Sequence, residues 1–332
     1  MTVLQPLGRP FERLIRALHK HLPRAVEGDV EPLHQGRVAT RRLREILPLC
    51  ACEVPRGLAK RAQRRVGRVG SALGGVREVD VSIGVVDEII KAGRVDVVAA
   101  RWLRQYLKDE REERRERMLD RLSSINVPKL ERDLADVARV LGMRQQTDRW
   151  AQMLAVRIEQ RSKTIQRAVG EAGALYVSDR VHRVRIAAKK LRYALELAAD
   201  TGEARTRTAV RKLKEIQDVL GRLHDLEVLG DLIQDLTMPA SDADAADDDS
   251  PVNAELKALR LTLDGECLGL HSQYVGQRES LLRICQDAAT TAAHIWTERG
   301  GELSATGQTL SLGRVFRMTI PVPETTIPKV SD

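Results

Sequence analysis

The chain has 332 residues, of which 42% are hydrophobic and 31% are charged, so it is long and apolar enough to bury a substantial core and is not a disordered tail. Lys and Arg number 55 against 47 Asp and Glu, which gives a formal net charge of +8 and favours an anionic partner. Aromatic residues make up only 3%, which leaves few platforms for stacking unpaired bases and argues against a single-stranded nucleic-acid binder.

The four cysteines and the N-terminal segment bear on the compartment. Only Cys50 and Cys52 lie close together, in a C-x-C spacing that matches no paired zinc motif, so we expect reduced and mostly buried thiols. Residues 1–22 lack an uninterrupted apolar stretch, and nowhere is an apolar run long enough for a membrane span. We therefore expect a cytoplasmic protein that does not engage a membrane and carries neither a metal nor a cofactor.

Apolar residues recur at spacings of three and four along most of the chain, and this periodicity predicts an all-α fold. Asp29 and Ser178 stand where two helices are expected to begin, and Gly93 and Gly202 where two are expected to end. The predicted helices, in chain order, cover residues 9–21, 31–51, 57–72, 76–91, 96–122, 129–142, 148–172, 179–200, 204–220, 222–236, 253–273 and 276–297.

Two segments fall outside this helical pattern. Residues 239–251, PASDADAADDDSP, combine Ala and Asp with proline and predict an acidic loop. Calcium binding is the alternative, but the segment lacks the central glycine and the final glutamate of an EF-hand loop, so a solvated linker is favoured. The C-terminal tail, residues 298–332, loses helical periodicity and is expected either to wrap around the domain or to be disordered.

The chain contains an internal repeat made of two separate motifs. 34-HQGRVATRRLR-44 matches 182-HRVRIAAKKLR-192 at an offset of 148 residues, and 73-LGGVREVDV-81 matches 220-LGRLHDLEV-228 at an offset of 147. Two motifs that repeat at nearly the same offset indicate a duplicated helical unit. We therefore predict two halves, about 9–147 and 148–297, related by a pseudo-two-fold axis.

The first motif places a cationic stripe on one side of a helix in both copies. At about 100° per residue, the four residues of each stripe fall within an arc of roughly 80°. They are His34, Arg37, Arg41 and Arg44 in the first copy and His182, Arg185, Lys189 and Arg192 in the second, with Arg42 and Lys190 at the edges. Like charges at these spacings repel, so stripes that face each other would form a basic channel suited to a thin chain of dense negative charge.

Further cations follow each stripe. Those of the next helix, interpreted as second walls of the channel, are Lys60, Arg64 and Arg68 in the first half and Arg207, Arg211 and Lys214 in the second. In the second motif, Arg77 aligns with His224, and the carboxylates nearby are interpreted as groups that orient basic side chains. A paired metal site is the alternative interpretation, disfavoured because no third and fourth ligand is evident.

Together these motifs resemble a known family. H-x-x-R-V-x-x-R-R-L-R, repeated as H-x-x-R-I-x-x-K-K-L-R, with an L-G-x-[LV]-[RH]-[DE]-x-[DE]-V element after each copy, is similar to the CHAD domain, the conserved histidine α-helical domain, over residues 9–297. The resemblance implies an all-α fold of two pseudo-symmetric helical halves around a basic central pore that binds inorganic polyphosphate. Some members are fused to a CYTH triphosphatase domain; the chain has no E-x-E-x-K signature, which indicates a stand-alone member.

The resemblance also implies which residues bind. They are His34, Arg37, Arg41, Arg42 and Arg44 in one half and His182, Arg185, Lys189, Lys190 and Arg192 in the other. The R-D pair usual for the family's second motif stands here as Arg77-Glu78 and His224-Asp225, so the charge at position 224 depends on histidine protonation. The resemblance further implies an association with polyphosphate granules in the cytoplasm.

The alternatives are weighed on chemistry. A solvated face is the ordinary role of a charged helix, as in 108-KDEREERRERMLDR-121, whose opposite charges at four-residue spacing satisfy one another. A phosphohydrolase using His34 or His182 would need an orienting metal or carboxylate and an acid, which the sequence does not show.

Nucleic acid also binds densely spaced cations. However, Tyr193 is the single aromatic residue beside a stripe, which is too little for stacking unpaired bases. We predict a polyphosphate-binding protein without catalytic activity, with a polyphosphate-processing phosphohydrolase and a nucleic-acid-binding protein as alternatives.

Overall fold

All regular elements in the described part of the chain are α-helices, as predicted. The computed structural model describes residues 7–93, 97–143, 147–238 and 251–298. The helices, in chain order, are α1 Gly8–Glu27, α2 Val30–Cys50, α3 Arg56–Ala72, α4 Gly74–Ala92, α5 Val97–Ser123, α6 Val127–Met143, α7 Arg149–Ala172, α8 Ser178–Asp200, α9 Thr206–Thr237 and α10 Pro251–Glu298.

The predicted helix boundaries are right at several ends and wrong at two interruptions. α4 stops before Gly93, whose φ of 64° is left-handed, and α8 stops two residues before Gly202. Residues 204–220 and 222–236 form the single helix α9, and residues 253–273 and 276–297 form the single helix α10. One glycine in a helix costs about 1 kcal/mol, and the packing of α9 and α10 along each other outweighs that cost.

Two apolar clusters form the core. The larger one includes residues of α1, α2, α3, α6, α7 and α8 together with the C-terminal part of α10, and the smaller one joins α4, α5, the second part of α9 and the first part of α10. The predicted apolar faces of α2 and α8 are buried in the larger cluster, which leaves their cationic faces to point away from it. The buried residues of these two faces are Ala39, Leu43, Ile46, Leu47 and Cys50 on α2 and Ala187, Leu191, Ala194, Leu195 and Ala198 on α8.

Two arginines of α7 tie α2 and α8 together. Arg161 donates to the carboxylate of Glu45 on α2 at 2.6 Å and to the carbonyl of Lys190 on α8 at 2.5 Å. Arg157 donates to the carbonyl of Glu45 at 2.5 Å, and burial, followed by the charge of Arg161, lowers the pKa of Arg157 to about 10. Because both arginines are held by α2, the relative position of α2 and α8 depends on α7.

The charged stretch 108–121 of α5 is more than a solvated face. Arg114 and Arg117 pair with glutamates four residues earlier, as predicted. Arg111 instead turns inward, where it donates to Asp80 of α4 at 2.6 Å and to the carbonyl of Gly28 at 2.8 Å. The interpretation as an exposed helix is therefore wrong for Arg111, which joins α5 to α4 and to the α1–α2 turn.

Several other expectations concern segments at or beyond the described ranges. The predicted acidic loop lies outside the described residues except for Pro251, which begins α10, and the predicted tail lies outside them except for Glu298, which is still helical. None of the described helices combines the length and the apolar character needed to cross a membrane. The four cysteines are free thiols, and all but Cys52 are buried.

Candidate functional site

The cationic faces of α2 and α8 meet at one place, here called the basic seam. The guanidinium of Arg41 on α2 lies 4.6 Å from the ring centroid of Tyr193 on α8, and that of Arg192 lies 5.1 Å from the same centroid, both within cation–π range. Arg42 of α2 donates to Glu196 of α8 at 3.2 Å. The cations of the basic seam are Arg37, Arg41, Arg77, Arg185, Lys189 and Arg192.

Most cations of the basic seam form no ion pair within the described ranges. Arg41, Arg185 and Lys189 form no ion pair there, and the Nε atoms of Arg41 and Arg185 are buried without a hydrogen-bond partner. The hydroxyl of Tyr193, which is 6% exposed, is also buried without a partner. Buried polar groups of native proteins are nearly always satisfied, so these atoms point to a ligand or solvent that supplies the missing acceptors.

Burial shows in the ionisation of the basic-seam cations, and repulsion adds to it at Lys189 and Arg41. Burial, followed by the charges of Arg185 and Arg41, lowers the pKa of Lys189 to about 7. Burial also lowers the pKa values of Arg41 and Arg185. Asp225 is the carboxylate whose negative charge most raises the pKa values of Lys189 and Arg185. Burial raises the pKa of Asp225 itself. An anion bound here would relieve the repulsion and favour the charged form of every cation.

In the first copy of the repeated motifs, a glycine allows an arginine to lie against the start of α4. Arg37 donates to the carbonyl of Gly70 at 3.4 Å, and a Cβ at Gly74 would stand only 2.5 Å from its Nη1 atom. Beside it, burial and then the charge of Arg77 lower the pKa of His34. The glycine of the second motif therefore has a packing reason here, since it makes room for Arg37.

In the second copy of the motifs, His182 takes the position of His34, and His224 takes the position of Arg77. The Nδ1 atoms of His182 on α8 and His224 on α9 lie 3.3 Å apart, and Glu227 lies 3.7 Å from Nδ1 of His224. Tyr176 donates to Glu227 at 2.6 Å. Burial alone would raise the pKa of Glu227, but hydrogen bonds from His224, Tyr176 and Ser178 bring it below its ordinary value.

The comparison with known proteins identifies a family. The family model of the CHAD domain matches residues 10–234. The chain belongs to the CHAD family. The crystal structure of the CHAD domain from the plant Ricinus communis has 23% sequence identity and a TM-score of 0.56, covering 82% of this chain and 93% of that one. PptA from Streptomyces chartreusis has 14% identity and a TM-score of 0.51, covering 87% of this chain and 100% of that one.

The two solved structures establish a shared fold. No curated protein matches the chain. The family match ends at residue 234, so the predicted domain limits of 9–297 and the division into two halves stay predictions for this CHAD protein. The same holds for the pseudo-two-fold axis and for a pore, whereas the contact between the two stripes is observed.

The structure of this CHAD protein brings together ten of the predicted binding residues. These are His34, Arg37, Arg41, Arg42, Arg77, His182, Arg185, Lys189, Arg192 and His224; each belongs to the basic seam or interacts with one of its members, except His224, which contacts His182. Arg44 and Lys190 are exposed and lie at the margins of their stripes. Their direct contact with a ligand stays a prediction.

The predicted second walls are not part of the basic seam. All six of their cations are exposed on α3 and α9, and Arg68 donates to the carbonyl of Ser124 at 3.2 Å. No contact among the described residues joins these side chains to the basic seam, so their part in binding stays a prediction. The six are Lys60, Arg64, Arg68, Arg207, Arg211 and Lys214.

One residue of the site was missed. Glu196 accepts from Arg192 at 2.8 Å and from Arg42 at 3.2 Å, so a single carboxylate joins both stripes. Its position four residues after Arg192 was a usable signal, because opposite charges at that spacing pair on a helix. Its contact with Arg42 had no sequence signal. Within the described ranges, no group of three His, Cys, Asp or Glu side chains is arranged to hold a metal ion.

Proposed function

We propose that this CHAD protein binds inorganic polyphosphate at the basic seam and does not hydrolyse it. The observation that carries the proposal is that Arg41, Arg185 and Lys189, which come from both copies of the repeat, lie together without an ion pair among the described residues. A polyphosphate chain presents a negative charge at every phosphate and can neutralise them one after another. Arginine suits such a ligand because its guanidinium binds phosphate oxygens in pairs, while lysine acts as a point charge.

The state of Tyr193 favours polyphosphate over nucleic acid. A binder of unpaired bases needs exposed aromatic rings on which the bases stack. Tyr193 is 6% exposed, and its ring already contacts the guanidinium groups of Arg41 and Arg192. The aromatic residue beside the stripe therefore supports two cations and offers no face to a base.

The surroundings of the motif histidines favour binding over catalysis. A histidine that accepts a phosphoryl group needs a carboxylate or a metal to orient it. His34 is surrounded mainly by Arg77, Arg41 and Arg37, with Glu31 as the one acidic influence. His182 contacts His224 through Nδ1, and the carboxylate beside this pair, Glu227, lies 3.7 Å from His224 and accepts from Tyr176. Both histidines are suited to donate hydrogen bonds to phosphate oxygens, which is a binding role.

Competition and chain-length measurements test the proposal together. Labelled long-chain polyphosphate is titrated with the pure protein, and duplex DNA and RNA are then added at matched phosphate concentration. We expect neither nucleic acid to displace the label at equal phosphate, and the polymer to keep its length on a gel after incubation with magnesium. Equal displacement by nucleic acid would contradict the ligand, and shortening of the polymer would contradict the absence of hydrolysis.

We also propose that binding directs the protein to polyphosphate granules. The support is the family resemblance together with the unpaired cations of the basic seam. A fluorescent fusion expressed in cells that accumulate polyphosphate should collect on the granules, while an Arg41→Gln/Arg185→Gln fusion should stay diffuse. Equal granule association of both fusions would show that the basic seam is not responsible.

A further inference from the structure

The two halves of the basic seam differ in the kind of positive charge they carry. Arg41 in the first half corresponds to Lys189 in the second at the offset of 148 residues, and Arg77 corresponds to His224 at the offset of 147. An arginine stays charged at any physiological pH, whereas a histidine changes its charge near neutrality. At these two positions the α2–α4 half therefore carries permanent charges, whereas the α8–α9 half carries titratable ones; each half also has a histidine at the start of the first motif, His34 and His182.

The contact between His182 and His224 limits how many protons this pair can hold. Their Nδ1 atoms are 3.3 Å apart, a distance at which one nitrogen donates and the other accepts. Two Nδ1–H groups facing each other at that distance would repel. Full protonation of both rings therefore requires the contact to open, and the opened rings would present their N–H groups to an anion.

The surroundings of His182 oppose its protonation in the free protein. Burial, followed by His224 and then Arg185, lowers the pKa of His182, against a weaker opposite effect of Glu227. The charged and titratable groups that face the pair are Arg185 and Lys189 of α8, Asp225 and Glu227 of α9, and Tyr176 before α8. Cys267 of α10 lies behind Glu227. The ion pair between Arg222 and Glu88 joins α9 to α4. A bound phosphate would reverse the balance, because it adds negative charge beside Arg185.

We propose that the α8–α9 half of the basic seam is a proton-dependent subsite: it takes up one proton at the His182–His224 pair when it engages phosphate, whereas the α2–α4 half has Arg77 in place of His224 and contains no such pair. This inference rests on the proposed function. The protonated pair binds better than the neutral pair, so affinity rises as pH falls. One linked proton changes affinity by up to about tenfold per pH unit within the window between the free and the bound pKa.

The repeat supplies the variants that test the inference. His224→Arg gives the second half the arginine of the first, and Arg77→His gives the first half the histidine of the second. The affinity for long-chain polyphosphate is measured at about pH 6 and about pH 8 at constant ionic strength, and the ratio of the two affinities is compared between proteins. Lys189 is present in all of them, so its own titration contributes to every ratio, and only the difference between proteins tests the histidine pair.

We expect the pH 6 to pH 8 affinity ratio to fall by about fivefold or more in His224→Arg and to rise in Arg77→His, relative to the wild type. His19→Gln, which removes an exposed histidine of α1, should leave the ratio unchanged. Equal ratios in the wild type and His224→Arg, with polyphosphate still bound, overturn the inference but not the proposed function. Absence of binding at either pH overturns the proposed function.

Ring-nitrogen NMR of the two histidines gives a second measurement, which does not depend on a variant folding. In the wild-type protein near pH 7, addition of polyphosphate should move the His182 and His224 signals towards the protonated positions. Signals that stay at their free positions while polyphosphate binds contradict the inference. Acidification of the free protein supplies the reference positions of the protonated rings, and this measurement needs no ligand.

Discussion

Replacing Arg41 and Arg185 with glutamine should flatten the salt dependence of polyphosphate binding. Five cations of the basic seam have no ion pair among the described residues, and each is free to neutralise a phosphate: Arg37, Arg41, Arg77, Arg185 and Lys189. For a single-stranded polyanion, the logarithm of affinity falls with the logarithm of salt concentration by about 0.7 for each neutralised phosphate. The slope is therefore about 3.5 for the wild type and about 2.1 for the double variant.

These slopes give a measurable difference. Raising salt from about 50 mM to about 200 mM should weaken the wild type about 130-fold and the double variant only about 18-fold. The assay is fluorescence anisotropy of labelled long-chain polyphosphate over a series of salt concentrations. The double variant should also bind more weakly at the lowest salt, because two charge-assisted contacts are lost.

A matched control separates the basic seam from net charge. Lys20→Gln/Arg283→Gln removes the same charge from exposed positions on α1 and α10, two helices that contribute no cation to the basic seam. We expect this control to keep the wild-type slope. If the control and the Arg41→Gln/Arg185→Gln variant flatten the slope equally, the reasoning from unpaired seam cations is refuted.

Three further predictions address stability and geometry. Gly74→Ala should keep or raise the melting temperature and weaken polyphosphate binding about three- to tenfold, because the new Cβ displaces Arg37. The control is Gly221→Ala, at the equivalent position of the second copy, where a Cβ would meet no atom within 4 Å. It should stabilise the protein without weakening binding. Lys189→Met should stabilise the free protein by about 1 kcal/mol in urea unfolding at pH 7. The pKa of Lys189 is about 7 in the folded protein and higher in the unfolded chain, so the stability of the wild type should rise as pH increases above 7. This rise should be smaller in the variant. Glu45→Gln should destabilise by about 2–4 kcal/mol in the same assay, because it leaves two partly buried arginines of α7 without their carboxylate; an unchanged midpoint would contradict that assignment.

The repeat made the stripes visible but did not determine how each member is used. Arg44 and Arg192 occupy equivalent positions, yet Arg44 is exposed while the side chain of Arg192 is 17% exposed and paired with Glu196. The residue equivalent to Glu196 in the first copy is Pro48, which offers no carboxylate. This difference can be read from the sequence, since it concerns residues one helical turn apart.

The merged helices show the limit of local signals. Gly221 interrupts the sequence pattern between two predicted helices, and α9 runs through it without a break. A glycine marks a local preference of about 1 kcal/mol, which neighbouring packing can override. Whether it does so depends on α10, which lies along α9 and which follows it only after the segment 239–250.

The sequence by itself determined that this protein is helical, that two motifs occur twice, and that the first motif gives its helix one apolar and one cationic face in both copies, because residues within a few turns of one another encode the helical period. Only the tertiary structure decided that the two cationic faces meet, that Arg41 and Arg192 share the ring of Tyr193, and that His182 touches His224. These contacts join separate helices, and they depend on how the buried faces of α2, α7 and α8 pack together. Periodicity along one helix carries no information about which other helix will cover it.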